Sequence, residues 1–430
     1  MKLPVTLRAL QYRNFQLFFG GQLISLVGTW MQYVAESWLV YRLTHSSVLL
    51  GVIGFAGQIP VFLLSPAAGI VADRFRRQWV VICTQTSAML LAFTLAALTL
   101  TGAVRIWHIF ALAATLGVVN AFDIPARQSF IVEMVGKQDL MNAIALNSSM
   151  FNASRVVGPA IAGLLVAGVG EGWCFFLNGA SYIAVIAGLL LMNVPRRAAE
   201  QRVGSPMAHI VEGFRFVAHN LPMYALLMQL AVVSLSGMSY TVLMPIFADR
   251  ILHGGAEALG VLMGALGVGA LSAALVLASR QTLKGLNRWA AIATFTFGVG
   301  MIAFSFSHNL LLSEALLIPV GFSMMIEMGS SNTLIQSMVP DRLRGRIMAV
   351  YSMTLVGMAP LGALIAGAAA DRFGAPRTVA AAGVVCMAAA AVFWTQLPKI
   401  REHARRLIAA QEQEIEGVSH IAAPAPGRHA

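Results

Sequence analysis

Twelve apolar stretches run along this sequence, at 15–40, 48–71, 79–101, 106–131, 141–168, 173–194, 222–248, 256–279, 289–307, 310–336, 346–369 and 376–397. Most reach the ~20 residues that an α-helix needs to cross a hydrocarbon core. Glycine and proline fall inside several of them, which membrane helices tolerate because neighbours re-satisfy the freed backbone groups. The pattern predicts an all-α membrane protein of twelve transmembrane helices. The longest polar break, Pro195 to Leu221, contains Ile210, Val211, Phe214 and Val217 at helical spacing, with Glu212 and Arg215 between them. That spacing predicts an amphipathic helix lying on the inner leaflet. Residues 399–416 are charged and helix-prone, and Ala422 to Ala430 reads as disordered. The expected organisation is therefore a six-helix half over 1–194, a cytoplasmic linker with the amphipathic helix over 195–221, a second half over 222–397 and a cytoplasmic tail over 398–430.

Composition agrees with lipid as the solvent. The chain is 58% hydrophobic and 11% charged over 430 residues, too little charge to cover a water-facing surface of that size. A net charge of +11 could suit nucleic acid, but the basic residues form short clusters between the apolar stretches, which argues against that partner. Of the 29 Lys and Arg, 22 fall in loops on one side of the predicted bundle. Five (Arg42, Arg105, Arg250, Arg372 and Arg377) fall on the other, and Arg127 and Arg155 lie within spans. The positive-inside rule then puts both termini in the cytoplasm of a multi-pass inner-membrane protein. Met1 to Phe15 reads as a cytoplasmic lead-in rather than a cleaved signal. Cys83, Cys174 and Cys386 are widely spaced within apolar stretches, so neither disulfides nor a metal site is expected, and no cofactor is implied.

An internal repeat divides the chain. Ile24-Ser-Leu-Val-Gly28 matches Val233-Ser-Leu-Ser-Gly237 at an offset of 209, and the same offset carries Leu50-Gly51-Val52 onto Leu259-Gly260-Val261. Met134-Val135 matches Met338-Val339 at an offset of 204. Two similar six-helix halves about an axis normal to the membrane would place a substrate site between them, near the midplane.

Five charged residues fall inside the spans: Glu36, Asp123, Arg127, Arg155 and Glu327. Each costs roughly 2.5–3.5 kcal/mol at a helix centre, so five unpaired would cost on the order of 12–17 kcal/mol. They must face one another, backbone carbonyls or a wet cavity, and simple pairing between helices is as good a reading as function. Asp123 and Arg127 are four apart and share a helix face. The offset of 204 carries Asp123 onto Glu327, so these two acids occupy equivalent positions in the two halves. Together with Glu36 they are the proton-coupling candidates. Arg155 cannot release its proton, so it is a fixed countercharge or an anion contact. Asn152 shares its face. Gln22, Gln58, Asn120, Asn178, Gln229 and Asn332 either line the same path or make interhelical hydrogen bonds. Trp30, Tyr33 and Trp38 either stack a flat substrate or anchor helices at interfaces.

Several stretches resemble the major facilitator superfamily. Gly69-Ile-Val-Ala-Asp73-Arg74-Phe-Arg76-Arg77 is similar to its loop signature, with Arg76 where that signature has glycine. The resemblance implies a latch between the halves through Gly69, Asp73, Arg74 and Arg77. Gly158-Pro159-Ala-Ile-Ala-Gly163 resembles the glycine–proline helix-bend signature of antiporter members. Gly367-Ala-Ala-Ala-Asp371-Arg372-Phe-Gly374 matches the loop string as well, but topology puts it on the outer side. Trp38-Leu-Val-Tyr-Arg-Leu-Thr44, Asn152-Ala-Ser-Arg155-Val-Val-Gly158-Pro159 and the stretch from Gln336 to Arg346 resemble the enterobactin-exporter-like and macrolide-efflux-like group. That resemblance implies proton-coupled export of a drug, macrolide or siderophore by a monomer. A facilitator or uptake carrier on the same fold, and a non-transporting scaffold, stay open as alternatives. An enzyme is not expected: there is no P-loop, no His-Glu-x-x-His and no sizeable soluble domain.

Overall fold

The structure, a computed structural model, describes residues 5–136, 138–194, 206–280 and 282–422. Among these, all regular structure is helical. A short 3₁₀ turn, Val5–Gln11, leads into α1 (Arg13–Thr44), α2 (Ser47–Arg74), α3 (Arg77–Leu100), α4 (Ile106–Val135), α5 (Leu140–Val169) and α6 (Glu171–Leu190). The surface helix α7 (Pro206–Ala218) follows, and then α8 (Leu221–Ile251). The remaining helices are α9 (Gly255–Ala278), α10 (Leu286–Ser305), α11 (Leu310–Met338), α12 (Asp341–Phe373) and α13 (Ala375–Ala422). The last helix runs past Leu397 without a break, and residues 195–205 and 423–430 of the expected linker and tail lie outside the described residues.

Eleven of these helices are long and apolar enough to cross a bilayer, against the twelve expected, and α1 is the one that falls short. Length is not the reason, since its 32 residues extend ~48 Å at ~1.5 Å each. Its polarity is turned inward instead: Gln22, Ser25 and Gln32 are buried, and Thr29, Glu36 and Ser37 line a cavity. A helix that faces a polar interior need not be apolar all round.

The α8 helix is irregular. A π turn at Val233–Gly237 gives way to a 3₁₀ stretch at Met238–Leu243 and a second π turn at Phe247–Ile251. Pro245 has no N–H to give and its ring crowds the carbonyl one turn back, which accounts for the break in the α-helical ladder. Ser239 and Thr241 donate their hydroxyls to the Ser236 and Met238 carbonyls within this stretch.

The repeat is visible in the packing. On α2, a Cβ at Gly51 would lie 2.5 Å from the Ala363 carbonyl oxygen and 3.2 Å from Gly367 Cα on α12. On α9, a Cβ at Gly260 would lie 2.7 Å from the Pro159 carbonyl oxygen and 2.7 Å from Gly163 Cα on α5. The offset of 209 carries Gly51 onto Gly260, and the offset of 204 carries Pro159 onto Ala363 and Gly163 onto Gly367. The two seams between the halves are thus one contact used twice. Only a residue without a side chain admits such backbone approach.

Both seams lie toward the face opposite the basic loops. There Tyr41, at the end of α1, donates to Asp249 Oδ2 at 2.7 Å and accepts from Arg250 Nε at 3.1 Å. Arg250 also donates to the His45 carbonyl at 3.1 Å and stacks over the Tyr41 ring. This latch joins the first half to the second. On the basic face, Arg8 pairs with Asp139 at 3.1 Å and Arg77 with Glu133 at 2.8 Å, each within the first half.

The α7 helix lies where an amphipathic helix was expected but is seated on α12. Glu212 pairs with Arg346, and Gly213 backs onto the Arg346 carbonyl. Val217 is buried while Val211 and Phe214 are exposed, and the Ile210 side chain lies outside the described residues.

Candidate functional site

A cavity of about 250 Å³ opens within the first half, bounded by α1, α2, α4, α6 and the irregular stretch of α8. Its polar lining includes Gln32, Glu36, Gln58, Asn120 and Asn178, with Tyr33 and Tyr182 beside them. Leu50, Ile53, Ala113, Leu116 and Val242 supply apolar wall. These residues come together because α1 places Thr29, Gln32, Tyr33, Glu36 and Val40 on one side at three- and four-residue spacing.

Asn178 Nδ2 donates to Gln32 Oε1 at 2.6 Å, and Gln32 lines the cavity one helical turn before Glu36. Among the described residues, Glu36 is the one carboxylate in the lining and no Lys, Arg or His joins it. Val242, in the irregular stretch of α8, joins the lining and ties the cavity wall to the second half.

The two repeat-related acids have different surroundings. Asp123 is 3% exposed; its Oδ1 accepts from Thr84 Oγ1 at 2.8 Å and Gln85 Nε2 at 2.9 Å, and its Oδ2 pairs with Arg127 Nε at 3.2 Å. Glu327 is fully buried; Ser331 donates to its Oε1 at 3.1 Å and its Oε2 has no partner among the described residues. The offset of 204 carries Arg127 onto Ser331. The second half therefore keeps the acid and replaces its cation by a hydroxyl. Each acid sits within its own half, Asp123 bound to α3 and Glu327 beside Met328, whose carbonyl accepts from Tyr351 of α12 at 3.0 Å.

The other expected residues are scattered. Arg155 stacks on Trp30, 5.5 Å from the ring centroid, with no carboxylate in ion-pair range among the described residues. Asn152 is buried and donates to the Ser148 carbonyl of its own helix at 2.8 Å, away from the cavity. Gln22 is buried with its Oε1 unpartnered and does not line the cavity either. In the loop stretch, Arg74 is exposed, Gly69 has open space beside it, and Arg77 is tied to Glu133 and the Ser129 carbonyl on α4. The Asp73 side chain lies outside the described residues. Gly158 admits Trp30 of α1, whose Cβ a methyl there would meet at 2.5 Å, and Pro159 presents its carbonyl to Gly260.

Sequence reasoning passed over Gln32, Tyr182, Tyr41 and Asp249. A signal for the latch existed: Tyr41 and Arg250 are themselves 209 apart. Residues near a two-fold axis meet their own repeat counterparts, so the offset that defines the repeat also names contacts on its axis.

Comparison with known proteins places this arrangement. Residues 5–419 match the family MFS_3, described as a transmembrane secretion effector. The staphyloferrin A transporter of Staphylococcus aureus (strain NCTC 8325 / PS 47) is 27% identical over 88% of this chain and 94% of its own. The multidrug efflux pump Tap of Mycolicibacterium fortuitum is 27% identical over 87% of this chain and 93% of its own. A bacterial homologue of the human lysosomal transporter Spinster, solved inward-facing and occupied, superposes with a TM-score of 0.70 at 14% identity, covering 93% of this chain and 98% of the other. That last likeness concerns the fold. The relatives do not single out the enterobactin-exporter-like or macrolide-efflux-like branch. With the twelve-helix fold, its two repeated halves and a polar cavity at membrane depth, the chain belongs to the MFS_3 family of major facilitator transporters, multi-pass membrane proteins that carry small molecules.

Proposed function

We propose that this protein exports a small organic molecule across the cytoplasmic membrane by alternating access, in exchange for protons. The observation that carries the coupling is Glu327, a buried carboxylate whose repeat counterpart is neutralised by Arg127 and which has only Ser331 in that place. A bound proton would do for Glu327 what Arg127 does for Asp123. Asp123, held by three donors, is then an anchor between α3 and α4 rather than a proton carrier. Glu36, which lines the cavity, is the second candidate for the proton.

Orientation follows from the basic loops, which put both termini in the cytoplasm. Seams and a latch at the opposite face then correspond to a carrier closed outside and accessible from inside.

The similarities support the coarser reading, a carrier of small solutes in either direction, more directly than they support coupled export. Facilitated movement or uptake is therefore the second reading. Ethidium efflux from cells making the protein separates the two, together with an export screen of a strain lacking it. Coupled export predicts that an uncoupler and Glu327→Gln each abolish efflux against a gradient. Efflux that continues in both conditions overturns the coupling, and movement that follows only the solute gradient establishes the facilitator.

A further inference from the structure

We infer that the cavity in the first half binds the ammonium end of an organic cation, with Glu36 as counter-ion and Tyr33 and Tyr182 as aromatic wall. This assignment rests on the protein being a small-molecule carrier and specifies which chemistry it takes. Three observations lead to it. The lining holds one carboxylate and, among the described residues, no cation, so an ionised Glu36 is matched by positive charge on the occupant. A carboxylate can accept roughly four hydrogen bonds. Gln32, one turn before Glu36 on the same helix, has its oxygen taken up by Asn178. The acceptor capacity of Glu36 is left for a ligand.

The walls set the rest of the ligand. Tyr33 and Tyr182 both line the cavity, and their rings supply aromatic surface beside Glu36. Aromatic rings beside a carboxylate suit an alkylated ammonium, which gains from the ring quadrupole as well as from the charge. The apolar side, with Leu50, Ile53 and Val242, suits a compact hydrocarbon or a single ring. A cavity of about 250 Å³ has room for an amine head and at least one ring. An anionic ligand would meet Glu36 uncompensated. Val242 and Thr241 belong to the irregular stretch of α8, so an occupant touches both halves and is felt by the seam that must open.

The test is binding, independent of transport. Full-length protein in detergent is titrated by calorimetry with benzyltrimethylammonium, with neutral benzyl alcohol and with phenylacetate. The ammonium should bind, and the alcohol and the anion should bind at least about tenfold more weakly. Glu36→Gln should weaken the ammonium about tenfold or more, equivalent to ~1.4 kcal/mol, and Glu36→Asp should keep most of the affinity. Thermal melting of both variants checks that they fold, and Tyr182→Leu serves as a second, uncharged probe expected to weaken the ammonium several-fold. Equal binding of alcohol and ammonium, or unchanged affinity in Glu36→Gln, overturns the site. Cation binding in a protein that moves no solute would instead sink the carrier reading and leave the site standing.

Discussion

The glycine seams make a quantitative demand on the conformational equilibrium. Replacing Gly51 and Gly260 by alanine puts a methyl group 2.5 Å from the Ala363 oxygen and 2.7 Å from the Pro159 oxygen. Ordinary contact begins near 3.4 Å, so each seam must open by somewhat under an ångström. The opposing atoms are backbone, and no rotamer change relieves them. Overpacking of this kind costs about 1–3 kcal/mol per site. The two seams are separate and related by the repeat, so their effects should add to about 2–6 kcal/mol. Alanine favours the helix itself by ~1 kcal/mol over glycine, so each helix survives. At 1.4 kcal/mol per factor of ten, the population closed at the opposite face should fall by roughly 30-fold to 10⁴-fold relative to the open one. Spin labels at Thr101→Cys and Phe306→Cys, in a Cys83→Ser background, report the separation of the halves at that face by electron double resonance. The double variant should transfer intensity from the short distance to a longer one. Gly20→Ala and Gly69→Ala, where nothing lies within 4 Å, should leave the distribution alone. A double variant with the wild-type distribution would refute the idea that these glycines set the closed state.

Other outcomes follow from the charges and the latch. Asp123→Asn breaks a buried ion pair and should lower thermal stability in detergent by about 3 kcal/mol. Glu327→Gln removes a buried acid with no cation and should leave the melting temperature unchanged or raise it, while abolishing uncoupler-sensitive efflux. If both variants melt alike, the structural division between the two acids is wrong. Tyr41→Phe removes the hydroxyl shared by Asp249 and Arg250 and should weaken closure by about 1.5–3 kcal/mol, the worth of a hydrogen bond to a charged group. Faster labelling of a cysteine at position 40, beneath the latch, would register it; unchanged labelling would count against the latch. Arg77→Ala should loosen α3 from α4, read as faster proteolysis at the basic face, without changing ammonium binding.

Much of the architecture was legible in residue order. Helix positions came from the ~20-residue apolar periodicity, because lipid forces every spanning segment to satisfy its own backbone. The pseudosymmetry came from short matches such as Leu50-Gly51-Val52 with Leu259-Gly260-Val261, which survive because the same backbone contact occurs in both seams. Asp123 and Arg127 were paired by helical spacing alone. Counting apolar residues gave α1 the same standing as the other spans, whereas the folded chain makes it the least apolar of them, turned toward the cavity.

Spacing could not reveal which polar residues share a cavity. Glu36, Gln32 and Asn178 lie on α1 and α6, and nothing local joins position 32 to position 178 until those helices pack. Asn152, Gln22 and Arg155 carried the same kind of signal, yet none of them is in the cavity lining. Asp123 and Glu327 look equivalent in sequence, and only their partners, a guanidinium in one half and a hydroxyl in the other, set them apart. The sequence by itself determined the helices, their repeat and the side on which positive charge accumulates, since those depend on local apolarity and on the membrane's asymmetry. Tertiary structure decided which acid is anchored, which is left without a cation and which faces open space, because the partners of a charge come from helices remote in sequence.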